Sequence, residues 1–299
     1  MVKTTACCRE PCVIDRHETP DCRIPGIPVQ PSRKQGYCSL ASFHFYRGPH
    51  NMLDILYRDD CLVAINKPAG LLVHRSNIDR HETRFAVQLL RDQLGQRVHP
   101  LHRLDKGTSG VLLFALDVGS ARKVGIQFQC DEVKKRYLAI VRGWPPEAGV
   151  IGHALSRQFD DYGRKLGADS PTEALPAVTE YRRLATVELP EAVDRYPTSR
   201  YALVELAPKT GRRHQLRRHM KHIAHPIIGD ATWGKGIHNR FFRRRFGCER
   251  LLLACTGIEL RHPQDGRALS IAAPLEENFG SVVAALGWEA VCDKLQGIQ

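Results

Sequence analysis

Residues 102–116 read His-Arg-Leu-Asp-Lys-Gly-Thr-Ser-Gly-Val-Leu-Leu-Phe-Ala-Leu, and this stretch decides the fold. Its second half, Val111–Leu116, is an uncharged apolar run of the kind that forms a strand buried on both faces. The turn Gly107-Thr-Ser-Gly110 introduces that run, and Asp105 stands just ahead of it between Arg103 and Lys106. The segment therefore predicts a carboxylate held by a rigid scaffold at the edge of a buried strand, where loops commonly present chemistry. Arg103 precedes Asp105 by two residues, so in extended backbone both side chains project to one side.

Working outward, Leu53–Tyr57 and Cys61–Ile65 read as strands joined by an Asp59-Asp60 turn. Asn66-Lys67-Pro68-Ala69-Gly70 reads as a loop and Leu71–Val73 as a further strand. Thr83–Leu94 places Val87, Leu90 and Leu94 at helical spacing, with Thr83 as N-cap. Ser120–Phe128 sets Ala121, Val124 and Phe128 on one helix face. Arg136–Val141, Val178–Leu184, Tyr201–Leu206, Leu251–Ala254 and Ile258–Leu260 read as strands, and Phe279–Leu286 as a terminal helix. His214–His222 follows the Thr210-Gly211 turn and stops before Pro226, which predicts another helix. Strands in runs with few helices between them predict an α+β domain, not a doubly wound sheet. Residues 157–176 read as a loop. Residues 1–51, rich in Pro, Cys, Arg and Ser, lack sustained periodicity and read as a poorly ordered extension ahead of one domain over 52–290.

Composition narrows the function classes. The apolar (42%) and charged (25%) fractions are those of a globular protein, and Val111–Leu116, the longest uncharged apolar run, is too short to cross a bilayer. No apolar signal segment opens the chain, so a cytoplasmic, non-membrane protein is expected. Five of the ten cysteines fall within the first 38 residues and the rest are scattered without a Cys-x-x-Cys pair, which fits reduced thiols better than a disulfide or zinc framework. Gly229–Gly236 begins like a phosphate loop but lacks the magnesium-binding Ser or Thr. Gly107–Gly110 has the wrong spacing for a nucleophile elbow, and His81-Glu82 has no second histidine at the distance a zincin requires. His219, His222 and His225 recur every three residues without an acid or thiol partner, so packing or phosphate contact is the better reading. Neither a metal nor a nucleotide cofactor is expected.

The net charge is +12, and Arg212–Arg250 holds eleven Lys or Arg against two acids, so nine of those charges sit in 39 residues. Charge this concentrated suits a polyanion, because each neutralised phosphate releases counterions. Phe241, Phe242 and Phe246 interleave with Arg240 and Arg243–Arg245. They fit stacking on unpaired bases or anchoring in the core, and the pattern leaves both open. That stretch shows no clean amphipathic helix for a membrane surface, and no helix-turn-helix or finger pattern points to DNA. Lys135-Arg136-Tyr137 opens an apolar strand with an aromatic at its start, and Arg212–Arg218 sets a row of cations on a turn and the helix after it. One acid, one tyrosine and several arginines in a basic, cofactor-free chain read as an RNA-modifying enzyme.

His102-Arg103-Leu104-Asp105 followed by Thr108-Ser109-Gly110 resembles the signature of the RluA-type family of RNA pseudouridine synthases. Asn66–Gly70, Lys135-Arg136-Tyr137, Gly211-Arg-Arg-His-Gln-Leu-Arg217 and His225-Pro-Ile-Ile-Gly-Asp230 resemble its other motifs in order and approximate spacing, over about residues 52–288. The resemblance implies the pseudouridine synthase fold: a largely antiparallel mixed sheet flanked by helices around a central basic cleft. It implies an isomerase that detaches uracil at N1, turns it and rejoins it through C5, without a cofactor. Asp105 would be the essential carboxylate, either nucleophile or base, with Arg217 as its cation and Arg212 as the fallback. Tyr137 would lie against the base and help remove the C5 proton. Arg103 would fill the gap left by the flipped nucleotide. Arg212, His214, Gln215 and Leu216 of the matching motif would bind the RNA, as would Arg243, Arg244 and Arg245 of the basic cluster. Val73-His-Arg-Ser76, Tyr196–Tyr201 and Arg217–His222 resemble the bacterial group that acts on uridine 65 of tRNA. The expectation is thus a monomeric tRNA-modifying enzyme, with ribosomal RNA as the alternative substrate and a non-catalytic RNA-binding protein of this fold as the alternative class.

Overall fold

The computed structural model describes residues 52–75, 82–156 and 173–296. The extension expected over 1–51, Ser76, and residues 157–172 of the expected loop lie outside the described residues. The elements, in chain order, are β1 (Asp54–Arg58), β2 (Leu62–Lys67), α1 (Ala86–Leu94), β3 (His99–Pro100), β4 (Ser109–Ala115), α2 (Val118–Gln129), β5 (Lys134–Arg142), β6 (Ala148–Gly152), β7 (Val178–Leu189) and β8 (Ser199–Pro208). There follow α3 (Gln215–His222), α4 (Gly236–Phe246), β9 (Leu253–Arg261), β10 (Ala268–Ala272), α5 (Glu277–Ala285) and α6 (Glu289–Gln296). Among the described residues no helix is long and apolar enough to cross a membrane.

The strands form one sheet in the order β1-β2-β4-β9-β5-β8-β7-β6, with β3 on β4 and β10 on β9. Every ladder is antiparallel except β4 with β9, where Ser109 pairs Ala254 and Gly110 pairs Cys255. The expected α+β, largely antiparallel mixed sheet is therefore present. The parallel contact depends on glycine. Gly110 has φ +105°, and a Cβ there would stand 2.0 Å from the Cys255 carbonyl oxygen. The Thr-Ser-Gly sequence thus lets β4 meet β9 and fixes where the Asp105 loop emerges.

Alternation along β5 divides the core, as the two-residue period of a strand requires. Tyr137, Ala139 and Val141 join β2, β4, α1 and the apolar residues Leu216 and Met220 of α3. Leu138 and Ile140 face the opposite side, with Phe241 and Phe242 of α4 and Phe279, Val282 and Val283 of α5. All seven residues of β4 are buried, as its apolar run predicts. At the far edge Asp59 accepts from the Cys61 and Leu62 amides, the Tyr57 hydroxyl and His262. Asp59, Cys61 and His262 have the spacing of metal ligands. Four protein donors already fill that carboxylate, so the cluster reads as a brace between two turns.

Several expected elements differ. Leu71–Val73 forms a single bridge, Leu72 to Phe85, and not a strand. Helix α1 starts at Ala86 and Thr83 does not cap it. Its first amides instead donate to the carbonyls of Leu72 and Val73, so backbone satisfies the groups a side-chain cap would take. The two short strands expected over 251–260 are one, β9. The Thr256 position between them is a bulge opposite Arg136 and Tyr137, and its hydroxyl donates to the Arg136 carbonyl. Helix α4 was not expected. His238, Phe241 and Phe242 supply its buried stripe at i, i+3 and i+4, and the surrounding arginines hide that stripe in the sequence. Phe241 and Phe242 are therefore core anchors, each contributing roughly 1.5–3 kcal/mol by burial. The edge strands β6 and β10 and helix α6 were not expected either.

Candidate active site

Asp105 sits in the loop ahead of β4, and two buried cations hold that loop. Lys67, at the end of β2, donates to the carbonyls of Pro68 and Leu71 at 2.8 Å and Lys106 at 3.3 Å. The Gly70 amide also donates to the Lys106 carbonyl at 2.7 Å, so the Asn66–Gly70 segment is clamped against the Asp105 loop. Burial, with a smaller contribution from Arg250, lowers the Lys67 ammonium to about 7. Arg250 donates to Ser109 Oγ at 2.7 Å and pairs with Glu276, which in turn accepts from the Ala69 amide at 3.2 Å. These contacts draw the Asn66–Gly70 loop, the start of β4 and the entry to α5 together around one guanidinium.

Helix α3 brings in the third cation. Arg217 Nη1 lies 3.1 Å from Asp105 Oδ2, while its Nε and Nη2 form a two-pronged pair with Asp230 at 2.6 and 2.8 Å. Asp230 is fully buried, with side-chain exposure of 0% against 11% for Arg217 and 28% for Asp105. Two further donors, the amides of Thr232 and Trp233, hold Asp230 at 2.9 Å each. Burial works to raise the Asp230 carboxyl, but Arg217 and those amides hold it below the usual range. The guanidinium is thus matched by Asp230 and has one edge left for Asp105. The triad carries one net negative charge, and Asp105 is its more accessible carboxylate.

Tyr137 stands opposite Cys255 in β9, which stands opposite Gly110 in β4, so the three form a row across the sheet beside the Asp105 loop. Burial, then the neighbouring Cys255 thiol, pushes the Tyr137 hydroxyl well above its ordinary value, and Asp105 adds to the effect. Burial likewise takes the Cys255 thiol up to about 12. Tyr137 is therefore held as a neutral phenol.

His214 opens α3 at φ +54°, a left-handed conformation that costs a non-glycine residue on the order of 1 kcal/mol or more. Its Nε2 lies 3.8 Å from Asp105 Oδ1, and Trp233 Nε1 donates to its Nδ1 at 3.3 Å. Arg212, the fallback partner for Asp105, is exposed and donates to the Pro176 carbonyl; Arg217 occupies the position beside the carboxylate. Gln215 is buried, and its amide meets Thr210 Oγ1, the Arg212 amide, the Val178 carbonyl and Thr179 Oγ1. Leu216 packs in the core. These two brace the turn and the helix from inside the protein. Arg103 is exposed on the Asp105 loop, and its charge acts on His74. Arg243, Arg244 and Arg245 are exposed along the last turns of α4. Arg243 pairs with Glu249, and Arg245 lies 3.5 Å from Glu191. His219 and His225 bond to Thr179, the His153 carbonyl and the Arg142 carbonyl, so both serve packing.

Asp230, Lys67, Trp233, Cys255 and Arg250 were not among the expected site residues. For Asp230 a signal existed, since it closes the His225–Asp230 segment. The distant pairings of Arg250 and Cys255 leave no local trace.

The mixed sheet thus brings together a part-buried carboxylate, a guanidinium matched by a second, buried carboxylate, and a buried tyrosine. A family profile described as RNA pseudouridylate synthase matches residues 61–222, and the chain belongs to that family of isomerases. The tRNA pseudouridine synthase C of Vibrio cholerae is 51% identical over 80% of this chain and 97% of its own length. That of Yersinia pestis is 46% identical over 83% of this chain and 96% of its own. Among solved structures, human RNA Pseudouridylate Synthase Domain Containing 4 superposes with a TM-score of 0.59 at 28% identity, covering 78% of this chain and 93% of that one. Human RNA Pseudouridylate Synthase Domain Containing 1 gives 0.58 at 26% identity, covering 81% and 98%.

Proposed function

We propose that this protein converts uridine 65 of tRNA to pseudouridine, acting as a monomer in the cytoplasm. The observation that carries the reading is the Asp105–Arg217–Asp230 triad beside Tyr137, on a chain about half identical to enzymes named for tRNA. Arg217 stays cationic at any working pH, so a carboxylate stands ready without a metal. Asp105 attacks the base or sugar, or takes a sugar proton, while the C1′–N1 bond breaks. The uracil turns, C1′ bonds to C5 as the bond to Asp105 breaks or Asp105 returns the sugar proton, and the C5 proton leaves as N1 gains one, so the isomerisation is redox-neutral. Tyr137 supplies the ring face against which the base turns. Uridine in a paired stem must first leave the stack, which costs a few kcal/mol, and Arg103, exposed on the Asp105 loop, fills the vacancy with a planar cation in this reading.

Incubation with tRNA carrying tritium at uridine C5 is expected to release one equivalent per molecule, and tRNA with cytidine at position 65 none. Release from ribosomal RNA alone would overturn the tRNA assignment. The exposed arginines of α4 fit the phosphate backbone flanking the target. Replacing Arg243, Arg244 and Arg245 together with glutamine is expected to weaken tRNA binding and reduce its log–log salt slope by about one for each phosphate that is no longer neutralised. An unchanged slope would place that helix away from the RNA.

A further inference from the structure

The two oxygens of Asp105 have different neighbours. Oδ2 accepts from Arg217, whose remaining contacts are spent on Asp230. Oδ1 instead faces the imidazole of His214, with Nε2 3.8 Å away, too far for a formed hydrogen bond and close enough to make one with a small shift. The other ring nitrogen is fixed by its partner. Trp233 Nε1 lies 3.3 Å from Nδ1, and an indole N–H only donates, so Nδ1 must carry a lone pair. The neutral ring then holds its proton on Nε2, aimed at Asp105 Oδ1. Protonating Nδ1 would set two N–H groups against each other. The Trp233 ring is itself flanked by cations, Arg218 at 5.5 Å and Lys221 at 5.2 Å from its centre, which add positive potential where the imidazolium would form. The left-handed backbone of His214 shows that its surroundings hold this placement against a local preference.

We propose that His214, locked as its Nε2–H tautomer by Trp233, is a positioning residue that steers Asp105 Oδ1, the oxygen that reacts. In this arrangement Trp233 keeps the ring from becoming a cation that would pair with Oδ1 and withdraw it from the substrate. The inference rests on the reading of Asp105 as the reactive carboxylate. The charged groups facing the ring are Asp105 from the loop before β4, Arg213 from the turn before α3, Arg217 from α3 and Asp230 from the segment after it. Burial is the largest influence and lowers the His214 pKa. Asp105 opposes it, Arg217 and Arg213 support it, Asp230 opposes it, and the net result lies below the ordinary histidine value.

The test is the single-turnover rate on tRNA, followed from about pH 5.5 to pH 8.5 in wild type, Trp233→Phe, His214→Asn and the double variant. Phenylalanine keeps a ring beneath Arg218 and Lys221 and removes only the donor. Asparagine tolerates the left-handed backbone and does not titrate. Trp233→Phe is expected to move the acid limb up by about one unit, a loss that grows toward tenfold as the pH falls below the wild-type limb, beyond any loss at pH 8.5. His214→Asn is expected to be slower at every pH and to lack that limb, with no further shift on adding Trp233→Phe. If Trp233→Phe does not fold, loss of the acid limb in His214→Asn alone carries the test. A pH profile in Trp233→Phe parallel to wild type would overturn the proposal, as would an acid limb that survives in His214→Asn. An inactive wild type would instead overturn the functional reading, so the two failures are distinct.

Discussion

Asp105→Asn is expected to abolish tritium release while tRNA binding holds or tightens. The amide can still accept from Arg217 Nη1, so the loop and helix α3 stay joined. It lacks the charge and basicity that either attack on the base or sugar or removal of a sugar proton requires. Losing a positioned general base alone commonly costs about 10²–10⁴ in rate, and losing a nucleophile removes the pathway. Affinity should move the other way. If Asp105 is the reactive carboxylate, the charge removed stands where a polyanion must approach, so its loss relieves repulsion. Asp105→Glu is a sharper check. One added methylene carries the oxygens on the order of 1 Å toward the sheet or His214, enough to cost about 100-fold where geometry is tight. Full tritium release by Asp105→Asn would remove the carboxylate from the chemistry.

The Asp105 loop and the strand after it were readable because both signals are local. An apolar run entered through Thr-Ser-Gly has few conformations open to it, and Gly110 is required by the close approach of Cys255. The apolar run opened by Lys135-Arg136-Tyr137 was local in the same way, and β5 holds Tyr137 near its start. Other features are set by partners distant in sequence. Arg250 meets Ser109 across 141 residues and Gln215 meets Val178 across 37, distances at which composition carries no record. Gln215 and Leu216 lie inside a motif rich in cations, and nothing in the local pattern separates the side chains that point inward from those that face solvent. Helix α4 escaped for a related reason. Its buried stripe includes a histidine whose Nδ1 meets the hydroxyl of the buried Tyr201, so a polar residue occupies a core position and blurs the helical period.

Asp230 should matter nearly as much as Asp105, although it sits behind the reacting group. Asp230→Ala removes the only fully buried carboxylate in the triad and leaves Arg217 with one partner. Breaking a buried pair from one side commonly costs about 3–5 kcal/mol, which for a domain of this size corresponds to a fall in Tm of roughly 10 °C. The rate should fall independently of that loss. With its fork released, Arg217 can turn both prongs onto Asp105, and a carboxylate held by two donors at once is a weaker base and a poorer nucleophile. Asp230→Asn separates the two effects. The amide oxygen still accepts from the Thr232 and Trp233 amides, so stability is expected to suffer less, but the charge that keeps Arg217 occupied is gone. Thermal denaturation and single-turnover rates on the same samples are expected to show a mild Tm change with a rate loss close to that of Asp230→Ala. A wild-type rate in Asp230→Asn would mean that Arg217 does not need its second anion to leave Asp105 free to react.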